Sequence, residues 1–163
     1  LDITSVACED AVNFIRTKGS INHINIKHAL YDALDADFSE LYFNNIQIEN
    51  SKNDCLDFSY GNYEIVNAKL NNCGDKSISV GEKSVLKVKN LNIYDSNFGV
   101  ASKDNSKVYI KKSIIENVNS CFSAYNKKQE FWGGLIEYND INCKNYKRLF
   151  NIDTLSKIAK VDS

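Results

Sequence analysis

The sequence predicts an all-β fold: a right-handed parallel β-helix with three parallel sheets and about 22 residues per coil. Three observations carry this expectation. Short apolar segments recur at a fixed period. Within each period the apolar residues alternate with polar ones, as strands do. Asparagine returns at corresponding positions of successive periods, as it does where identical residues stack.

The segments Ala11-Val12-Asn13-Phe14, Ala33-Leu34-Asp35-Ala36 and Cys55-Leu56-Asp57-Phe58 each start 22 residues after the one before. Ser77-Ile78-Ser79-Val80, Gly99-Val100-Ala101-Ser102 and Cys121-Phe122-Ser123-Ala124 continue the series. The second residue is always large and apolar, and the first is always small. Two further alternating stretches fill each period. One passes through Phe43, Ile65, Val88 and Ile110, the other through Ile24, Ile46, Ala68 and Leu91. Three short strands cannot bury a face alone, but stacked coil on coil they enclose an apolar column. Like residues then stand about 4.8 Å apart. The spacing slips by one residue near Tyr94 and by about six between Phe122 and Phe150, where Lys127 to Gly134 reads as an insertion. Roughly six coils are expected, ending in a strand or cap around Leu155, Ile158 and Val161.

Two polar columns mark the corners. They run His23, Asn45, Asn67, Asn90, Lys112 and His28, Asn50, Asn72, Asp95, Asn117. Asparagine suits them because it tolerates turn backbone angles and its amide bonds to its neighbour in the stack. The column Asp10, Asp32, Asp54 and Asp75 is read as a turn device of the same kind. A leucine-rich repeat shares the period, but the recurrent leucine framework is missing. The absence of proline fits a fold in which every backbone N–H is a ladder donor.

Residues 1–163 are expected to form a single β-helix domain. The chain lacks methionine and opens at Leu1-Asp2-Ile3, so it is expected to be a piece of a longer chain with further domains. A net charge of −1 gives no footprint for nucleic acid. No apolar run is long enough for a membrane span. The five cysteines have no C-x-x-C spacing. Cys55 and Cys121 fall in one column, three coils or about 14 Å apart, too far for a disulfide. The expectation is no disulfide at all, with these cysteines as small buried hydrophobes.

The stretches from Tyr31 to Ser39 (YDALDADFS) and from Cys73 to Glu82 (CGDKSISVGE) resemble the pectate-lyase-like superfamily of right-handed β-helices. Within it they are similar to a bacterial surface subgroup, some of whose members stand beside spore-coat-H-type kinase-like domains. The resemblance spans nearly the whole chain and implies the fold and a secreted or cell-surface setting. It brings no settled activity with it.

Residues three and five of each first-face segment should point outward and form one strip. The strip is acidic at Asp35, Asp37 and Asp57 and turns basic and aromatic at Lys103 and Tyr125. Lys127 and Trp132 follow in the insertion and are expected, with Tyr125, to bind substrate. The first reading is a carbohydrate-binding or structural module with a polysaccharide partner. The alternative is a polysaccharide lyase or epimerase acting on an acidic glycan. Asp35, Asp37 and Asp57 would hold Ca2+, since a hard cation takes several oxygens. In pectate-lyase-like enzymes such a cluster bridges Ca2+ to an acidic sugar, and the resemblance makes Lys103, with Asp57, the candidate for proton abstraction. Only Arg16 and Arg148 could clamp a substrate carboxylate, and both lie near the ends.

Overall fold

The computed structural model describes residues 1–162, which hold thirteen parallel strands and no helix. In chain order these are β1 (Asp2–Val6), β2 (Asp10–Ile15), β3 (Lys18–Ala29), β4 (Asp32–Asp37), β5 (Glu40–Ser51), β6 (Leu56–Ser59) and β7 (Asn62–Cys73). There follow β8 (Lys76–Val80), β9 (Val85–Tyr94), β10 (Phe98–Lys103), β11 (Lys107–Tyr125), β12 (Leu135–Ile152) and β13 (Lys157–Lys160). The short strands β2, β4, β6, β8 and β10 stack in order on one face. Short β1 and the longer β3, β5, β7, β9 and β11 stack alongside them. Such a two-track ladder, winding upward by one strand per revolution, is a parallel β-solenoid.

Each long strand serves two faces. Pairing lapses at Asn22, Asn44, Val66 and Lys89, beside the first asparagine column. There two consecutive side chains, such as Asn44 and Asn45, lie outside the core between buried Phe43 and Ile46. A flat strand cannot do that, because alternation would bury one of them. The chain turns a corner instead, and the three faces are therefore parts of one continuous ladder. The second column turns the next corner. His28, Asn50, Asn72, Asp95 and Asn117 all have φ between 53° and 63°. That is the left-handed region, which asparagine and aspartate enter at low cost.

Both amide columns are hydrogen-bonded ladders. Asn67 donates to Asn45 at 3.1 Å and Asn90 donates to Asn67 at 2.9 Å. Asn72 donates to Asn50 at 2.7 Å and Asn145 to Asn117 at 2.9 Å. The aspartate column also works coil to coil. Asp32 accepts from the Asp54 N–H, and Asp54 accepts from the Lys76 N–H, each at 2.8 Å.

The core column Val12, Leu34, Leu56, Ile78, Val100, Phe122, Phe150 is in register through seven levels, one more than expected. Leu34 through Phe122 are buried. The single-residue slip is placed differently from the expectation. Phe58 pairs Val80 but Asn62 pairs Val85, so the extra residue enters at Glu82-Lys83. Both have positive φ, which widens that turn. The register returns to its earlier spacing between Tyr94 and Phe98. The six-residue insertion lies between Tyr125 and Leu135, as read from the sequence. β13 then pairs with the start of β12.

The cysteine expectation is overturned in part. Cys55 does not pair with Cys121, but disulfides join Cys55 to Cys73 and Cys121 to Cys143. Their Cα atoms are 5.5 Å and 6.6 Å apart. Each bridge spans a corner rather than a column. Cys73 stacks on Ser51, four positions before Cys55, and Cys143 stacks on Ile115, six positions before Cys121. A chain that has almost completed a revolution returns beside its own start, which a search along columns does not see. Cys8 is free and exposed.

Candidate functional site

The outward strip of the first face divides into an open and a closed half. Alternation places Asn13, Asp35, Asp57, Ser79, Ala101 and Ser123 in one outward column by register. Ile15, Asp37, Ser59, Gly81, Lys103 and Tyr125 make the parallel column. In the lower coils these side chains reach solvent. From Ser79 upward they are buried, except half-buried Tyr125 at the head, and Lys103 is only 7% exposed. Small residues permit this closure. A Cβ built on Gly81 would stand 3.3 Å from Lys103 Cε, so the lysine stem lies down across the glycine.

Lys103 bears on Asp57 and Glu82. Glu82 is also bonded by Lys128, from the insertion, and by Ser59 Oγ at 2.7 Å. Burial works against the Glu82 charge, but the Lys128 and Ser59 hydrogen bonds outweigh it and hold the carboxyl below its ordinary range. A second ion-pair group lies along the other margin. Lys76 Nζ is bonded to Asp75 and stands 3.7 Å from buried Asp54. Burial pushes Asp54 up to about 6 despite Lys76.

The lower half is predominantly acidic, with Lys103 and Lys76 acting on Asp57. Asp35 and Asp57 pair directly across β4 and β6, and Asp37 follows along β4. Burial, then Asp37, Asp57, Asp10 and Asp32, push the Asp35 carboxyl up to about 7. Burial and the Asp57 charge raise Asp37 as well. Burial raises Asp57 too, and the opposing pull of Lys103 and the neighbouring Ser79 hydroxyl does not cancel it. The nearest neutral donor is Asn13, whose amide reaches Asp10 at 3.0 Å and Asp35 at 3.4 Å.

These shifts have a stability consequence. A carboxyl whose folded pKa lies above its unfolded value binds protons better when folded, so stability falls as pH rises through that window. For Asp35 the window runs from 3.8 to about 7. The carboxyl is half exposed, and solvent screening brings its contribution to on the order of 1–2 kcal/mol. Thermal unfolding should therefore show a lower midpoint at pH 8 than at pH 5, and Asp35→Asn should flatten the difference. A midpoint that rises with pH over this range would remove the uncompensated-acid description.

A ridge that the sequence reading missed flanks the strip. Arg16, Phe38 and Tyr60 each follow a strip residue directly and repeat at the coil period. The Phe38 and Tyr60 rings stack at 4.7 Å with planes 4° apart, and the Arg16 guanidinium sits 5.3 Å over the Phe38 ring. All three have φ near 50°. Bulky side chains are uncommon in this region. Even so, Phe38 is 51% and Tyr60 40% exposed. The signal was available: two aromatics one period apart, each just after an outward position.

The insertion extends the same ridge upward. Asp104 Oδ1 accepts from the N–H groups of Lys127 and Lys128 at 2.7 and 2.8 Å, and Asn105 Oδ1 from the Trp132 N–H at 2.6 Å. These bonds pin the loop while Trp132 stays 68% exposed and Lys127 points to solvent. Lys83 Nζ lies 5.9 Å over the Phe131 ring. Tyr125 is half-buried at the head of the closed half, facing Lys76 and Asp75. Of the residues singled out from sequence, Asp35, Asp37 and Asp57 thus come together, and Lys103 joins them at Asp57. Tyr125, Lys127 and Trp132 belong to the upper end.

Among the described residues, no three His, Cys, Asp or Glu side chains are arranged to hold a metal ion. Asp35 and Asp57 pair across β4 and β6, and Asp37 follows along β4. Among the described residues no helix is long and apolar enough to cross a membrane. Comparison with known protein families, curated proteins and solved structures finds no match.

Proposed function

We propose that this solenoid is a non-catalytic glycan-binding module of a secreted or cell-surface protein. The observation that carries the reading is the exposed Phe38–Tyr60 ridge beside the half-buried carboxylates of Asp35, Asp37 and Asp57. Sugar rings offer apolar C–H faces to aromatic groups and hydroxyl donors to carboxylates. Binding sites of this kind combine apolar surface with a few placed polar groups. Trp132 and Lys127, held outward by the pinned loop, provide a second contact at the upper end. The two disulfides suit an oxidising environment. Membership in the pectate-lyase-like group belongs to this proposal and rests on the sequence resemblance.

The buried position of Lys103 weighs against the lyase alternative. A general base must come within hydrogen-bond reach of the proton it takes. Lys103 is covered and engaged with Asp57 and Glu82. A polysaccharide panel tests both readings together. Binding is followed by calorimetry and unsaturated products by ultraviolet absorbance, each with and without Ca2+. We expect binding to at least one glycan and no absorbance change. Product formation that disappears with Lys103→Ala would replace the module reading with the lyase.

A further inference from the structure

On the second face, one outward column changes its charge balance along the stack. Its lower coils hold Lys18, Glu40 and Asn62. There Lys18 is paired with Glu40, coil to coil, at 2.8 Å. Above Asn62 the column continues as Val85, Lys107, Leu135 and Lys157, without an acid. Lys107 and Lys157 stand two coils, or about 10 Å, apart. Together with Lys83, whose backbone is left-handed (φ 59°), they border a concavity of about 550 Å3. Among the described residues these three lysines form no ion pair, and no aspartate, glutamate or aromatic ring lines the concavity. Val85, Leu135 and Leu155 give it apolar surface, and Leu155 is 47% exposed. Asn105 lines it too. Its Oδ1 accepts from the Trp132 N–H at 2.6 Å, so its NH2 group is the free end, with no partner among the described residues. A concave wall of one charge sign concentrates counter-ions.

We propose that this concavity binds a sulfate or phosphate ester carried on a sugar chain. It is a second site, on a different face from the Phe38–Tyr60 ridge, and it rests on the glycan-binding reading for the sugar alone. The lysines supply the charge. An ammonium is a point charge that suits a tetrahedral oxyanion, whereas a planar carboxylate is matched best by the arginine fork, and no arginine lines the site. The leucines and Val85 offer apolar contact to the C–H faces of a sugar ring, and the Asn105 amide donates to an ester or hydroxyl oxygen. Alternation of apolar and cationic residues up the column fits a chain in which rings carry charged substituents at intervals. A nucleic acid would stack its bases on aromatic rings, which the concavity lacks.

The test is calorimetry at low salt with a heparin tetrasaccharide, its fully desulfated counterpart, a glycerol phosphate oligomer and a DNA oligonucleotide of matched charge. One of the two ester-bearing chains is expected to bind, which assigns sulfate or phosphate as the source, and its affinity is expected to fall with added NaCl. The desulfated sugar, which keeps its carboxylates, is expected to bind at least about tenfold more weakly than the sulfated one where sulfate is the source. The double variant Lys107→Gln, Lys157→Gln should lose about tenfold in affinity for the bound chain. Both lysines are exposed, so the variant should fold, and circular dichroism checks this. Lys18→Gln, in the same column, should leave binding unchanged. Equal loss in Lys18→Gln would reduce the effect to overall charge and overturn the proposal, as would full affinity in the double variant. Tighter binding of the DNA would overturn the sugar. Self-association at low salt that the double variant abolishes, seen by sedimentation, would assign the surface to a second copy instead. If neutral glycans bind and neither ester-bearing chain does, the inference falls alone; if no glycan binds, the glycan-binding reading falls with it.

Discussion

Replacing Phe58 by alanine should destabilise the solenoid by about 3–5 kcal/mol, the range for removing a buried phenylalanine. Phe58 is fully buried, and its ring stacks on Tyr63 at 4.4 Å and tilts against Phe43 at 6.3 Å. In a solenoid each residue has few candidates to fill a void, because coils touch only their neighbours. The residue below Phe58 in its column is Ala36 and the one above is Val80. Alanine cannot grow into the space, and Val80 is held by its own ladder. Tyr63 is fixed as well, since its hydroxyl donates to the carbonyls of Ala36 and Ser59 at 2.8 and 3.0 Å. Collapse is blocked on each side, which places the cost in the upper part of the range. Urea unfolding of wild type and variant measures it directly. A loss under about 1 kcal/mol would mean that the column is not packed as described.

The second large effect concerns the disulfides. Removing Cys55–Cys73 with paired alanines should cost about 2–4 kcal/mol, because the bridge closes a loop of 18 residues. The Cys121–Cys143 pair, which closes 22, should behave alike. The two bridges lie in different coils, so their losses should add approximately. Thiol counting supplies the check. The oxidised protein, unfolded in denaturant, should react with one equivalent of alkylating reagent at Cys8, and with five after reduction. Three or more reactive thiols before reduction would show that a bridge is missing.

Much of the architecture was legible from particular residues. The column from Val12 to Phe122 set the period, and the asparagines at 45, 67 and 72 marked the corners. Asp35 and Asp57 could be placed side by side because one strand paired in register on another fixes its neighbours. The insertion after Tyr125 was visible as a broken period. These features are one-dimensional: they repeat along the chain, and stacking converts a repeat into proximity.

What the sequence did not reveal lies across the coil rather than along the column. The disulfides join positions on different faces, and only the closed cross-section brings Cys73 round to Cys55. The burial of Lys103 depends on a stem lying across Gly81 and on a loop lysine reaching Glu82. An outward direction deduced from alternation therefore did not guarantee exposure, because long side chains cover their small neighbours. The aromatic ridge required left-handed backbone at Arg16, Phe38 and Tyr60, residue types that do not announce such angles. The sequence by itself determined the period, the core and the neighbours within each column, since those follow from hydrophobic burial and strand register. The tertiary structure decided which strip residues face solvent, which cysteines meet and where charge is left uncompensated, since those depend on how side chains from different coils and faces fill one shared space.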